Sequence, residues 1–142
     1  MQETCNAYTL TDLQIGLTER FTVTVTQQMQ DSFTNMSGDI NPLHLETAAA
    51  KRRGFQDKLV YGMLTASLYS TLVGVYLPGE NCLFQECRVS WPKPVYVGDT
   101  LQVVGRVTGI DQRFQRIEVK AYIENQKGER VSRAVLTVGV LD

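Results

Sequence analysis

The sequence has 142 residues, 43% of them hydrophobic and 20% charged, which suits one globular domain over 1–142 and excludes a disordered chain. Lys plus Arg number 14 against 15 Asp plus Glu, a formal charge of −1, so no basic excess exists to neutralise nucleic-acid phosphates. His44 is the single histidine, which excludes metal centres built on two or three imidazoles of one chain, and no metal is expected.

The first dozen residues read as a loose lead-in, and MQETCNAYTL lacks the basic-then-apolar pattern of a signal peptide. Phe21, Val23 and Val25 alternate with Thr22, Thr24 and Thr26, the pattern of a half-buried strand. Met29, Phe33 and Met36 recur at helical spacing, predicting a helix over Gln27 to Ser37 that stops at Gly38. Asp39 to His44 contains Pro42 and reads as a loop; Glu46 to Arg53 suits a short helix closed by Gly54. Lys51-Arg52-Arg53 is read as a solvated helix end, with contact to coenzyme phosphates as the other reading.

Leu59 to Leu77 runs 19 residues without a charge. Thirteen of them are apolar and the other six are Gly, Ser and Thr. That mixture favours a helix buried on nearly all sides over a membrane span. The helix is predicted over Gly62 to Leu77, stopped by Pro78-Gly79. The period then changes. Cys82 to Trp91, Thr100 to Gly109, Phe114 to Glu124 and Val131 to Leu141 alternate as strands, with turns at Gly109 to Gln112 and Asn125 to Gly128. Three helices early and four strands late, with one strand first, predict an α+β fold: a curved antiparallel sheet wrapped round one long central helix. Cys5, Cys82 and Cys87 are an odd count without CxxC spacing. That fits thiols kept reduced in the cytoplasm, and neither a disulfide framework nor a zinc site.

Two stretches bear chemistry. In Ser37 to His44 a carboxylate, Asp39, and the imidazole of His44 are five residues apart. On a regular helix they would diverge by about 140°, but Gly38 and Pro42 bend the chain and can turn both side chains to one point. Asp and His around a shared water make an acid/base pair; the alternative is an Asp39 helix cap and a surface His44. In Leu59 to Leu64, Gly62 opens the long helix, where a backbone N–H at the positive end can hydrogen-bond an oxyanion. The alternative is a glycine that merely permits close packing. At 100° per residue, Gly62, Ala66, Tyr69, Ser70 and Val73 share one helix face. Ser70 there either reaches a buried acid or bonds back to its own helix.

Taken together, Ser37 to His44 with its Asp-x-Asn-Pro-x-His motif, Leu59 to Leu64, Ala66 to Ser70 and Val95-Tyr96-Val97-Gly98-Asp99 resemble the MaoC-like (R)-specific enoyl-CoA hydratases of the hot-dog fold. The resemblance runs from about Phe21 to the end. It departs at Tyr61, where the family usually has His before the glycine. The resemblance implies syn addition of water to a trans-2-enoyl thioester, or the reverse dehydration, on a CoA or carrier-protein handle, with no cofactor. Asp39 takes a proton from the water, His44 holds the water and protonates C2, and Gly62 holds the oxyanion. Asn41 fixes the loop and Ser70 supports Asp39. Tyr61, Ala66, Tyr69 and Val73 line the substrate path, with Tyr69 as its gate. A homodimer is expected, because a single curled sheet leaves edge strands open. A hot-dog thioesterase and a non-catalytic acyl-binding subunit remain as alternatives. The first is disfavoured by the lack of an acid between Leu59 and Leu77, the second by the intact Asp39 and His44.

Overall fold

The computed structural model describes residues 2–141; Met1 and Asp142, the ends of the predicted 1–142 domain, lie outside them. Five strands form one antiparallel sheet: β1 (Thr18–Thr24), β2 (Cys82–Ser90), β3 (Thr100–Asp111), β4 (Arg116–Glu124) and β5 (Arg130–Val140). Their order is β1-β3-β4-β5-β2, so β1 and β2 are the edges. Between β1 and β2 lie the helices α1 (Gln27–Ser37), α2 (Pro42–Leu45), α3 (Thr47–Arg52) and α4 (Gly62–Thr71), the last widening into a π-helical turn over Leu72–Tyr76. This is the α+β hot-dog arrangement anticipated from the pattern.

Alternation explains the core. The inward residues Leu101, Val103 and Val107 of β3, Val119 and Ile123 of β4, and Leu136 and Val138 of β5 are fully buried. Leu72, Val73 and Tyr76 press onto them from the central helix. Gly105 makes this seat possible, since a Cβ there would stand 2.6 Å from Leu72 Cδ2. Any side chain at 105 would therefore force Leu72 out of this seat. Phe21 of β1 stacks on Tyr76, with ring centroids 5.0 Å apart.

Four expectations shift. β1 starts at Thr18 and ends at Thr24, although Val25 is still buried. Its N–H bonds Asp99 instead of a ladder partner. β3 runs through the predicted turn at Gly109 to Asp111, because a bulge between Val107 and Gly109 restores pairing as far as Asp111 with Arg116. The stretch Asp39 to His44 is not all loop, since α2 begins at Pro42. The central helix is not buried all round: Met63 is 61% exposed, and Ser67 and Ser70 face outward beside it. The sheet covers one side of α4 and leaves the other open. Among the described residues no helix is long and apolar enough to cross a membrane.

Tyr69 ties the helix to the sheet. Its phenol, with no exposed surface, donates to Ser132 Oγ at 2.9 Å, and Ser132 donates in turn to the Ser90 carbonyl. Burial pushes the Tyr69 phenol up to about 12 from its ordinary 10.0. The folded protein therefore holds this proton more tightly than the unfolded chain. Its contribution to stability is whole below about pH 10 and is lost as pH climbs towards about 12. Tyr69→Phe is expected to cost about 1 kcal/mol at neutral pH and to flatten that alkaline decline. Denaturant midpoints of both proteins at neutral and alkaline pH check it.

Candidate active site

Gly38 ends α1 in the left-handed region, at φ 72°, and turns the chain out of the helix. Two short bonds then bend it. Asp39 Oδ1 accepts the Asn41 N–H at 3.1 Å, and Asn41 Oδ1 accepts the Leu43 N–H at 3.0 Å. The second bond caps α2, and Pro42 occupies its first turn, where a missing N–H costs nothing. One turn on, His44 Nδ1 lies 2.8 Å from the Leu59 carbonyl. A carbonyl only accepts, so Nδ1 carries the hydrogen and Nε2 is the ring nitrogen left for proton exchange.

Tyr61 lies against this turn and is 2% exposed. Its ring stacks on His44, centroids 4.0 Å apart and planes at 28°, and Phe33 packs against it at 4.7 Å. Its hydroxyl donates to the backbone carbonyl of Asp39 and sits 2.9 Å from Thr34 Oγ1. Expected among the substrate-binding residues, Tyr61 instead has both ring and hydroxyl engaged by protein.

Gly62 is the first residue of α4, so its N–H stands at the positive helix end. Trp91 closes over it. The indole N–H donates to the Gly62 carbonyl at 2.9 Å, and a Cβ at 62 would lie 3.1 Å from the ring. Close packing is thus one requirement for glycine here. Gly62 and His44 line the same cavity of about 410 Å³, with Leu59, Thr65, Trp91 and Val95. The loop at Val95 to Asp99 braces this cavity: Val95 accepts the Val60 N–H, and Asp99 Oδ2 accepts the Tyr96 N–H.

His44 and Gly62 are thus brought together, whereas other expected members stand apart. Asp39 is exposed, and among the described residues it makes no hydrogen bond with His44. Ser70 is also exposed and does not bond Asp39. Eight residues beyond Gly62, it lies about 12 Å further along the helix axis. Tyr69 and Val73, 0% and 1% exposed, are packed in the core. Ala66 does line an open groove of about 690 Å³ between α4 and β2, with Phe33, Met63, Phe84, Val89 and Trp91. Lys51, Arg52 and Arg53 are exposed at the end of α3.

Sequence reasoning passed over two residues. Trp91 borders both the cavity and the groove. Gln30, 1% exposed, donates to the His44 and Leu59 carbonyls at 3.2 and 2.9 Å and accepts the Tyr61 N–H. A polar residue one position from Met29 on an amphipathic helix was the only available signal for it, and its partners are far along the chain.

The profile of the MaoC like domain family matches residues 12–128. The chain is 40% identical over 79 residues to the (R)-specific enoyl-CoA hydratase of Aeromonas caviae, 56% of this chain and 59% of that protein. It is 33% identical over 92 residues to the 3-hydroxybutyryl-CoA dehydratase of Methylorubrum extorquens, 65% of this chain and 59% of that one. The matched segments thus span about three fifths of these relatives' lengths. The solved (R)-hydratase of A. caviae superposes with a TM-score of 0.86 at 30% identity, over 90% of this chain and 97% of that one. An unliganded R-hydratase of Pseudomonas aeruginosa, at 24% identity, shares the fold with a TM-score of 0.89 over 97% and 88% of the two chains. The profile match takes in β1 to β4 and, with them, Asp39, His44 and Gly62 in one stretch; the chain belongs to the MaoC-like domain family.

Proposed function

We propose that this protein catalyses the reversible addition of water to a trans-2-enoyl thioester, giving the (R)-3-hydroxyacyl thioester, with a CoA or carrier-protein handle. The observation that carries the reading is the pairing of His44 and Gly62 on one cavity, with Nδ1 of His44 held by Leu59 so that proton exchange runs through Nε2. The names of the relatives point the same way.

In this reading a water bridges Asp39 and His44, which do not bond each other directly. The Asp39 carboxylate takes one proton of the water as its oxygen bonds C3. The C2=C3 pair moves toward the thioester carbonyl, whose oxygen is held by the Gly62 N–H. The imidazolium of His44 then gives its Nε2 proton to C2 as the carbonyl reforms. Asp39 is left protonated and His44 neutral, and exchange with solvent resets both. Because one water is served by two neighbouring groups, addition is to one face. Incubation with crotonyl-CoA tests the reading: loss of enoyl absorbance is expected. Thiol release would indicate a thioesterase, and no change with bound ligand an acyl-binding protein.

We also propose that the working form is a homodimer built on the β2 edge. β2 is unpaired on its outer side, and Leu83 on it and Met36 and Met63 across the groove are 48%, 76% and 61% exposed. An unpaired strand beside exposed apolar side chains is suited to a second copy. Sedimentation at micromolar concentration is expected to give a dimer; a fully active monomer would overturn the claim.

A further inference from the structure

Asp39, Ile40 and Asn41 form an exposed bend between α1 and α2. Its internal bonds, Asp39 to Asn41 and Asn41 to Leu43, shape the bend but do not hold it to the rest of the molecule. Among the described residues, the one hydrogen bond that reaches these three from beyond the Ser37 to His44 segment comes from the Tyr61 hydroxyl, to the Asp39 carbonyl. Tyr61 is also the residue on which the His44 ring stacks, and the residue directly before Gly62. One buried side chain thus touches the bend that carries Asp39 and the ring of His44, while its backbone leads into the helix start. Gln30 accepts its N–H and fixes the His44 backbone as well, so Tyr61 is itself held.

We propose that Tyr61 is a positioning residue, a clamp that sets Asp39 relative to His44 and Gly62; this rests on the hydratase reading. Its hydroxyl hydrogen is engaged by the Asp39 carbonyl, so the phenol acts through Asp39 and donates nothing to substrate. Without the outside bond, Asp39 samples positions from which a bridging water no longer reaches His44, roughly in proportion to the bond's modest net strength.

The test is Tyr61→Phe, which keeps the ring and its stacking and removes one oxygen. Amide hydrogen exchange at Asn41 is expected to quicken by about tenfold while amides of β3 to β5 keep their protection. In the hydration assay kcat is expected to fall by about tenfold with KM changed less than about twofold. In an Asp39→Asn background the same change is expected to cost almost nothing further, because the clamp acts through Asp39. Thr34→Val leaves the ring alone and removes the hydroxyl beside the phenol; it is expected to move Asn41 exchange in the same direction by less. Unchanged Asn41 exchange in Tyr61→Phe would overturn the proposal, as would a kcat loss repeated in full on top of Asp39→Asn. A wild-type protein inactive on enoyl thioesters would overturn the hydratase reading, and Asn41 exchange would still decide whether Tyr61 clamps the bend.

Discussion

Asp39→Asn and His44→Gln are each expected to lower hydration of crotonyl-CoA by at least about 100-fold, the lower range for a lost acid or base. Asp39→Asn spares local structure, because the Asn side chain keeps an oxygen to accept the Asn41 N–H. His44→Gln also removes the ring that stacks on Tyr61, an effect that thermal melts monitor. The larger part of each loss is chemical. Asn cannot take a proton from water, and Gln cannot carry one to C2. The double variant is expected to be scarcely slower than either single one, because groups that serve one water act as a unit. Rates of enoyl absorbance loss for the four proteins, with thermal melts as a check on folding, measure this. Full additivity would argue against a shared water.

The second large effect concerns chain length. Of the acyl path expected through Ala66, Tyr69, Ser70 and Val73, Tyr69 and Val73 pack in the core, Ser70 is exposed and Ala66 borders the groove. The groove beside Ala66 and Met63 is bordered by Trp91, which also lines the His44 cavity. Ala66 lies four residues past Gly62, about 6 Å along the axis at 1.5 Å per residue. A four-carbon chain with its carbonyl at Gly62 ends short of it, and an eight-carbon chain passes it. Ala66→Phe is therefore expected to lower kcat/KM for an eight-carbon enoyl thioester by about 10-fold to 100-fold while leaving the four-carbon substrate within about twofold. Ala66 borders the groove and not the sheet-facing core, so the larger ring enters groove space without overpacking the core, and sedimentation of the variant checks that the dimer is kept. Steady-state kinetics on the two substrates decide it. Equal loss on both, or none on either, would place the acyl chain elsewhere.

Features set by near neighbours in the chain were legible without the structure. α1 runs over Gln27–Ser37, where the Met29, Phe33 and Met36 spacing and Gly38 place it, because periodicity and an αL glycine are local; the Thr26 cap, read only as part of a strand, was equally local. The strands from Cys82 onward follow from alternation, which needs only the strand's own side chains. The Asp39 to His44 motif and the glycine at 62 were recognisable for the same reason. The one-turn helix α2 was also written locally, in Asn41 as cap before Pro42, although proline was read there as loop.

What joined these pieces was decided in three dimensions. Gln30 meets its partners 29 and 31 residues away, and Trp91 meets Gly62 across 29, distances over which no pattern of period 2 or 3.6 carries information. Helical arithmetic put Ala66, Tyr69, Ser70 and Val73 on one face but could not say what each part of it would meet. α4 is apolar nearly all round, so its sequence does not mark which side faces the core. Contact with β3, where Leu72 fills the space left by Gly105, turned Tyr69 and Val73 into the sheet and left Ala66 in the groove and Ser70 outside. Orientation of an evenly apolar helix is set by the fit of its side chains against a sheet assembled from distant segments, and that fit exists only once the chain has folded.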